Sequence, residues 1–124
     1  MALYDAILIK ENHIAAAGGI PEVLAEAAKQ HGVPVQIEVE TIEQLQEALA
    51  SGAKSILLDN FSLEMMREAV HIVRTGQIGA VLEASGGINR ETIRAIAETG
   101  VDRISIGELT KFVRATDYSL RIVE

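Results

Sequence analysis

The chain has no cysteine and no tryptophan, only two prolines, and only two tyrosines and two phenylalanines among 124 residues. Without cysteine there is no disulfide framework, no thiolate nucleophile and no zinc site of the cysteine type. Positive charge is also short: 11 basic residues face 18 acidic ones, for a net charge of -7. Nucleic acid is therefore not an expected partner, because phosphate backbones need a basic face and unpaired bases need aromatic platforms. No run approaches the roughly 18 continuous apolar residues of a membrane span, and residues 1–13 show no basic leader before an apolar stretch. The expectation is a soluble, cytoplasmic protein with no membrane partner.

What the chain does have is apolar content, 48% of its residues. Over 1–124 that suffices for one domain with a real core and is too little for two. Five runs rich in Ile, Leu and Val read as strands: Ala6–Lys10, Val35–Glu40, Ser55–Asp59, Ala80–Ser85 and Arg103–Gly107, with a sixth at Tyr118–Val123. Helical periodicity fills the gaps. Pro21 suits a first helical turn, Thr41 with Gln44 a capping box, and Ser62 and Asn89 helix N-caps; Gly32, Gly52 and Gly100 stand where C-terminal caps belong. Repeated βα units imply parallel strands with right-handed crossovers, in a (βα) barrel or an open doubly wound sheet.

Alternation along the strands separates these two. One face, with Val35, Ile37, Val39, Ile56, Leu58, Ala80, Leu82, Ala84, Ile104 and Ile106, is wholly apolar. The other carries Gln36, Glu38, Glu40, Ser55, Leu57, Asp59, Val81, Glu83, Ser85, Arg103, Ser105 and Gly107 and is mostly polar. A doubly wound sheet would cover that second face with helices too, whereas a barrel lumen is polar near its mouth. A partial TIM-like barrel is therefore the expected α/β fold, since a complete one takes about 250 residues. The alternative is a flattened, flavodoxin-like open sheet, which would bury Glu38, Asp59 and Glu83 under a helix at high cost.

In such barrels the functional side chains stand at the C-terminal strand ends. Here those are Lys10, Glu38 with Glu40, Asp59 with Asn60, Glu83 with Ser85, and Gly107. An ammonium at the end of a buried strand needs an anion nearby, from the protein or from a ligand. Glu38 and Asp59 end neighbouring strands on one face, where their carboxylates could share Mg²⁺; equally, they could pair with Lys10 and Arg103 as lumen salt bridges. Ser85-Gly86-Gly87 leads toward a helix and Gly107 opens a second glycine turn before another short helical segment; both suit a phosphate, and both suit ordinary tight turns. No pair among His13, His31 and His71 has metal-ligand spacing. His13 is placed to orient the Lys10 loop, His31 to support a helix C-terminus, and His71 to pack or face solvent.

The segments LIKENH (8–13), IEVET (37–41), LLDNFS (57–62), LEASGGIN (82–89), ETGVDRISIGELT (98–110) and ATDYSLRI (115–122), in this order and spacing, resemble the C-terminal half of quinolinate phosphoribosyltransferases. That family converts quinolinate and phosphoribosyl pyrophosphate, with Mg²⁺, into nicotinate mononucleotide, carbon dioxide and pyrophosphate for NAD biosynthesis. Its fold is an N-terminal sandwich domain plus an incomplete α/β barrel, acting as a dimer. The resemblance implies that Lys10 contacts a quinolinate carboxylate, and that Glu38 and Asp59 meet the ribose hydroxyls and Mg²⁺. It also implies that Ser85, Gly86 and Gly107 bind phosphate, with Lys111 in support. Glu108 departs from the small residue usual in the family's G-x-L-T turn. The N-terminal domain and the basic cluster that clamps quinolinate fall before residue 1, so the chain alone is expected to be inactive, needing a second copy or a complementing barrel half. The rival expectation is a non-enzymatic truncated or engineered half-barrel that self-associates or only binds phosphate.

Overall fold

A computed structural model of the chain describes residues 7–29, 34–106 and 111–114, with side chains given for all of these except Ile7, Ile106 and residues 111–114. Its elements run β1 (Ile7–Ile9), α1 (Glu11–Ala17), α2 (Ile20–Ala27), β2 (Val35–Val39), α3 (Ile42–Ala50), β3 (Ser55–Asp59), α4 (Leu63–Thr75), β4 (Val81–Ser85), α5 (Ile93–Glu98), β5 (Arg103–Ile106) and β6 (Lys111–Arg114). The strands form one sheet in the order β1-β2-β3-β4-β5-β6; β1 to β5 are parallel and β6 is antiparallel to β5.

That consecutive order decides the architecture. With right-handed crossovers, strands laid down in sequence place every intervening helix on one face of the sheet. A flavodoxin-like sheet reverses its order to put helices on both faces. The chain is thus an open segment of a (βα) barrel, with its outer face covered and its inner face carrying the polar residues.

The covered face holds the core. Ile37, Val39, Ile56, Leu58, Leu82, Ala84 and Ile104 are buried there against Leu45, Ala48, Met66, Ala69, Val73 and Ile96 from the helices. In α4 the buried residues Met66, Ala69, Val70 and Val73 follow a helical stripe, and Glu64, Arg67, Glu68 and His71 face out. The Thr41 and Ser62 hydroxyls cap their helices, accepting from Gln44 N at 3.1 Å and Met65 N at 3.2 Å. Asp102, before β5, accepts from Leu82 N through Oδ2 at 2.9 Å and donates its own N–H to Leu82 O, tying the starts of β4 and β5 together.

Three local expectations change. Where a short helical segment was expected after the second glycine turn, Lys111–Arg114 forms strand β6: Phe112 and Val113 have strand propensity, and a strand four residues after β5 can fold back as its antiparallel neighbour. The sixth strand expected at Tyr118–Val123 lies outside the described residues, as do Gly32 and His31. The segment after Lys10 forms a separate helix, α1, none of whose residues is buried. Helix α5 begins at Ile93 instead of Arg90, because the Asn89 side chain accepts from Glu91 N at 2.9 Å and Thr92 N at 3.0 Å and holds a turn ahead of the helix.

Candidate functional site

Strands β2 and β3 end side by side, with Val39 opposite Leu58, so Glu40 emerges next to Asp59. The two-residue period of a strand puts Glu38 on the same face as Glu40. One carboxylate oxygen from each of Glu38, Glu40 and Asp59 lies within 4.8 Å of those from the other two. Glu38 and Asp59 are half-buried and Glu40 is exposed. Burial holds the Glu38 carboxyl above its ordinary pKa; the charge of Asp59 pushes the same way, the Lys10 ammonium pulls it down, and Glu40 and a hydrogen bond with Asp59 push it up again. Three converging carboxylates are hard oxygen donors, and that set fits a divalent cation such as Mg²⁺.

Lys10 follows β1 directly and is the N-cap of α1. Its backbone N–H donates to His13 Nδ1 at 3.2 Å, so His13 braces the turn that carries it. The Lys10 side chain is exposed, which corrects the expectation of an ammonium at the end of a buried strand: water already solvates it. Among the described residues neither Lys10 nor Arg103 forms an ion pair with the carboxylates; Lys29 and Glu26 do pair, at 3.5 Å, on the surface of α2. The lumen salt bridges considered as an alternative are therefore not made among these residues.

On β4, Ser85 is the register partner of Asp59, and its hydroxyl donates to Asp59 Oδ1 at 3.4 Å. Gly86 and Gly87 follow with φ of 83° and 60°. A Cβ on Gly86 would stand 2.5 Å from Asn60 Oδ1 and 3.2 Å from Asn60 N, so a side chain there would have to displace the Asn60 carboxamide and crowd the end of β3, at a φ that already favours glycine. Because α5 starts at Ile93, the glycine turn stands apart from the helix N-terminus it was expected to open. The structure thus brings Lys10, Glu38, Asp59, Ser85 and Gly86 to one end of the sheet. Lys111 opens β6, its side chain being outside the description, and Gly107 lies outside the described residues.

Three residues join this end without an assigned role. Glu40 stood out in sequence only as a strand-end acid; its part in the carboxylate group depends on the β2–β3 register. Asn60 has φ of 56°, a conformation the dipeptide Asp59-Asn60 does not announce. Glu83 is the one charged residue that is buried among those described, at 1% exposure, and accepts a 3.0 Å hydrogen bond from Gln36 Nε2.

The chain is an open (βα) half-barrel that brings an acidic group, an exposed lysine and a glycine turn together at its C-terminal strand ends, where (βα) barrels carry their functional side chains. The family described as "Quinolinate phosphoribosyl transferase, C-terminal domain" matches residues 1–121, and the chain belongs to it. It is 43% identical over 122 residues to the probable nicotinate-nucleotide pyrophosphorylase [carboxylating] of Bacillus subtilis, covering 97% of this chain and 41% of that one. It is 39% identical to the nicotinate-nucleotide pyrophosphorylase [carboxylating] of Mycobacterium leprae, covering 97% and 43%. Among solved structures, the nicotinate-nucleotide pyrophosphorylase from Francisella tularensis is similar with a TM-score of 0.78 and 44% identity over 91% of this chain and 41% of that one. A thiamine phosphate pyrophosphorylase from Pyrococcus furiosus shares the fold, with a TM-score of 0.64 and 24% identity. The chain spans about two fifths of the length of these family relatives. No helix among the described residues is long and apolar enough to cross a membrane.

Proposed function

We propose that the chain is the C-terminal part of a quinolinate phosphoribosyltransferase and carries the phosphoribosyl pyrophosphate side of its site. The observation behind this reading is the meeting of Glu38, Glu40 and Asp59 within 4.8 Å, beside Lys10 and one strand away from the Ser85–Gly87 turn.

In this reading Lys10 attracts a carboxylate of quinolinate, and its exposure leaves the ammonium free to do so. Glu38 and Asp59 accept from the ribose hydroxyls, fixing the sugar so that its anomeric carbon faces the pyridine nitrogen. Ser85 and Gly86, together with Gly107 and with Lys111 in support, hold the phosphate oxygens. Glu38, Asp59 and Glu40 would hold Mg²⁺, which when bound offsets the diphosphate charge and eases its departure. The products are nicotinate mononucleotide, carbon dioxide and pyrophosphate, made in the cytoplasm.

Among the described residues the sheet is open, with β1 at one edge, and an exposed strand edge invites a partner. A second copy or a complementing barrel half fills that role and supplies the basic groups for the second quinolinate carboxylate. The chain by itself then turns over negligibly.

The test is formation of nicotinate mononucleotide from quinolinate, phosphoribosyl pyrophosphate and Mg²⁺ by the purified chain and by Lys10→Ala, alongside calorimetric titration with phosphoribosyl pyrophosphate. Binding with negligible turnover agrees with the proposal. A folded chain that binds neither phosphoribosyl pyrophosphate nor pyrophosphate would overturn it.

A further inference from the structure

Main-chain hydrogen bonds set the spacing of neighbouring strands and leave the curvature of a sheet to its side chains and turns. On the inner face of this sheet one side-chain pair reaches past a strand. Gln36 on β2 donates through Nε2 to Glu83 Oε1 on β4 at 3.0 Å, with β3 between them. On a flat sheet, side chains standing on alternate strands stay two strand spacings apart, so the bond forms where the face is concave.

Burial on that face agrees. None of the described helices packs there, yet Glu83 is 1% and Leu57 9% exposed. Register sets Leu57 of β3 between Glu38 and Glu83 at one level of the sheet, and a leucine side chain offers neither of them a hydrogen bond. Leu57 stands apart from the hydrophobic cluster beneath the helices, so its cover comes from inner-face neighbours that close over β3.

This curvature divides the candidate site into two parts. Glu38, Glu40 and Asp59 come from β2 and the end of β3, neighbouring strands whose spacing the main chain fixes. The Ser85–Gly87 turn follows β4, and its approach to the β2 carboxylates depends on how far the sheet bends across β3. We infer that Gln36 and Glu83 are positioning residues: their bond sets how closely Glu38 and Glu40 face the Ser85–Gly87 turn, and so how well one phosphoribosyl pyrophosphate molecule engages both. This rests on the phosphoribosyl pyrophosphate site proposed above.

The test is calorimetric titration of Mg²⁺ alone, and of phosphoribosyl pyrophosphate with Mg²⁺ present, into the 124-residue chain and into Glu83→Gln, Gln36→Met and Glu83→Met. Glutamine at 83 keeps an acceptor for Gln36, whereas methionine keeps the unbranched length of either side chain and abolishes the bond. Circular dichroism and melting temperature show that each variant is folded. Both methionine variants bind phosphoribosyl pyrophosphate roughly tenfold more weakly, because a ligand gripped at two places loses affinity when they are misplaced. Glu83→Gln binds it within about twofold of the parent, the acceptor being retained. Mg²⁺ alone binds within about twofold in all four proteins, since its ligands stand on neighbouring strands. General loosening of the fold would not produce that split, so Mg²⁺ and phosphoribosyl pyrophosphate weakened alike would overturn the positioning role. Phosphoribosyl pyrophosphate affinity unchanged in the methionine variants would also overturn it, while the functional reading stands. If Glu83→Met does not fold, Gln36→Met decides, because Gln36 is only half-buried. A parent chain that does not bind phosphoribosyl pyrophosphate overturns the functional reading and this role with it.

Discussion

Gln36 Nε2 lies 3.0 Å from Glu83 Oε1, although β3 runs between their strands. Alternate strands of a sheet are roughly 9.6 Å apart, and side chains that leave a concave face converge across that gap. Glu83 is consequently buried, at 1% exposure, two residues below Ser85 on β4, while Gln36 lies two below Glu38 on β2. The pair forms a floor beneath the candidate site.

Burial raises the pKa of the Glu83 carboxyl above the usual glutamate range, against the smaller opposing pull of Gln36 and of Arg103, its register partner on β5. The folded state therefore keeps its proton to higher pH than the unfolded state does. Between the unfolded and the folded pKa the folded chain binds more protons, so this group's contribution to stability falls as pH rises through that window. Glu83→Gln keeps the hydrogen bond to Gln36 and cannot ionise. Its melting temperature is expected to equal or exceed that of the parent at pH 8, with the difference shrinking toward pH 5. Parallel melting curves across that range would show that the burial has no electrostatic cost.

Gly86→Ala places a methyl where Asn60 Oδ1 would be 2.5 Å away and Asn60 N 3.2 Å away, at a φ of 83°. The carboxamide can swing aside but the backbone nitrogen cannot, and the positive φ adds its own strain. A loss of about 1–3 kcal/mol is expected. Urea denaturation measures it, and a midpoint within error of the parent's would mean that the β3 and β4 ends separate easily.

The alternation of Ile37, Val39, Ile56, Leu58, Leu82 and Ala84 with polar neighbours was enough to predict the buried face and the barrel-type layout, because a strand's period writes its two environments directly into sequence. Ser62 and Thr41 were readable for the same reason: capping is local. What could not be read depended on neighbours distant in sequence. β6 is a strand because β5 is there to pair with it, and α1 is a helix although Glu11, Asn12 and His13 give it no apolar stripe. Glu40 joins Glu38 and Asp59 through the β2–β3 register, and Asn60 meets Gly86 only once two loops touch. The site residues named from resemblance cluster at one strand end as far as they are described; Gly107 falls outside the description.

Ser62→Ala removes the hydroxyl that accepts from Met65 N at 3.2 Å at the start of α4, the longest helix described. The first-turn N–H then turns to water, at a cost of about 1 kcal/mol. For a domain of this size that is a fall of roughly 3–6 °C in melting temperature, readable by circular dichroism. A shift under about 1 °C would show that tertiary packing of Met66, Ala69 and Val73 alone holds the helix start.

Glu38 gives the most direct test of the carboxylate group. Its pKa is raised first by burial and next by Asp59, and lowered by Lys10. A cation at the group competes with the proton on Glu38, so Mg²⁺ affinity should rise with pH through the Glu38 titration and level off above it. Lys10→Ala removes the positive charge that, among the described residues, acts on Glu38, which lifts its pKa further and moves the same rise to higher pH. It also removes repulsion of the cation, so affinity on the upper plateau should match or exceed the parent's. Asp59→Asn acts oppositely on the titration, moving Glu38 back toward its ordinary value, yet weakens the plateau by deleting a ligand oxygen. Calorimetric Mg²⁺ titrations between pH 5 and 8, with carboxyl carbon NMR following Glu38, separate these effects. Affinity independent of pH in all three proteins would mean that Glu38 takes no part in holding the cation.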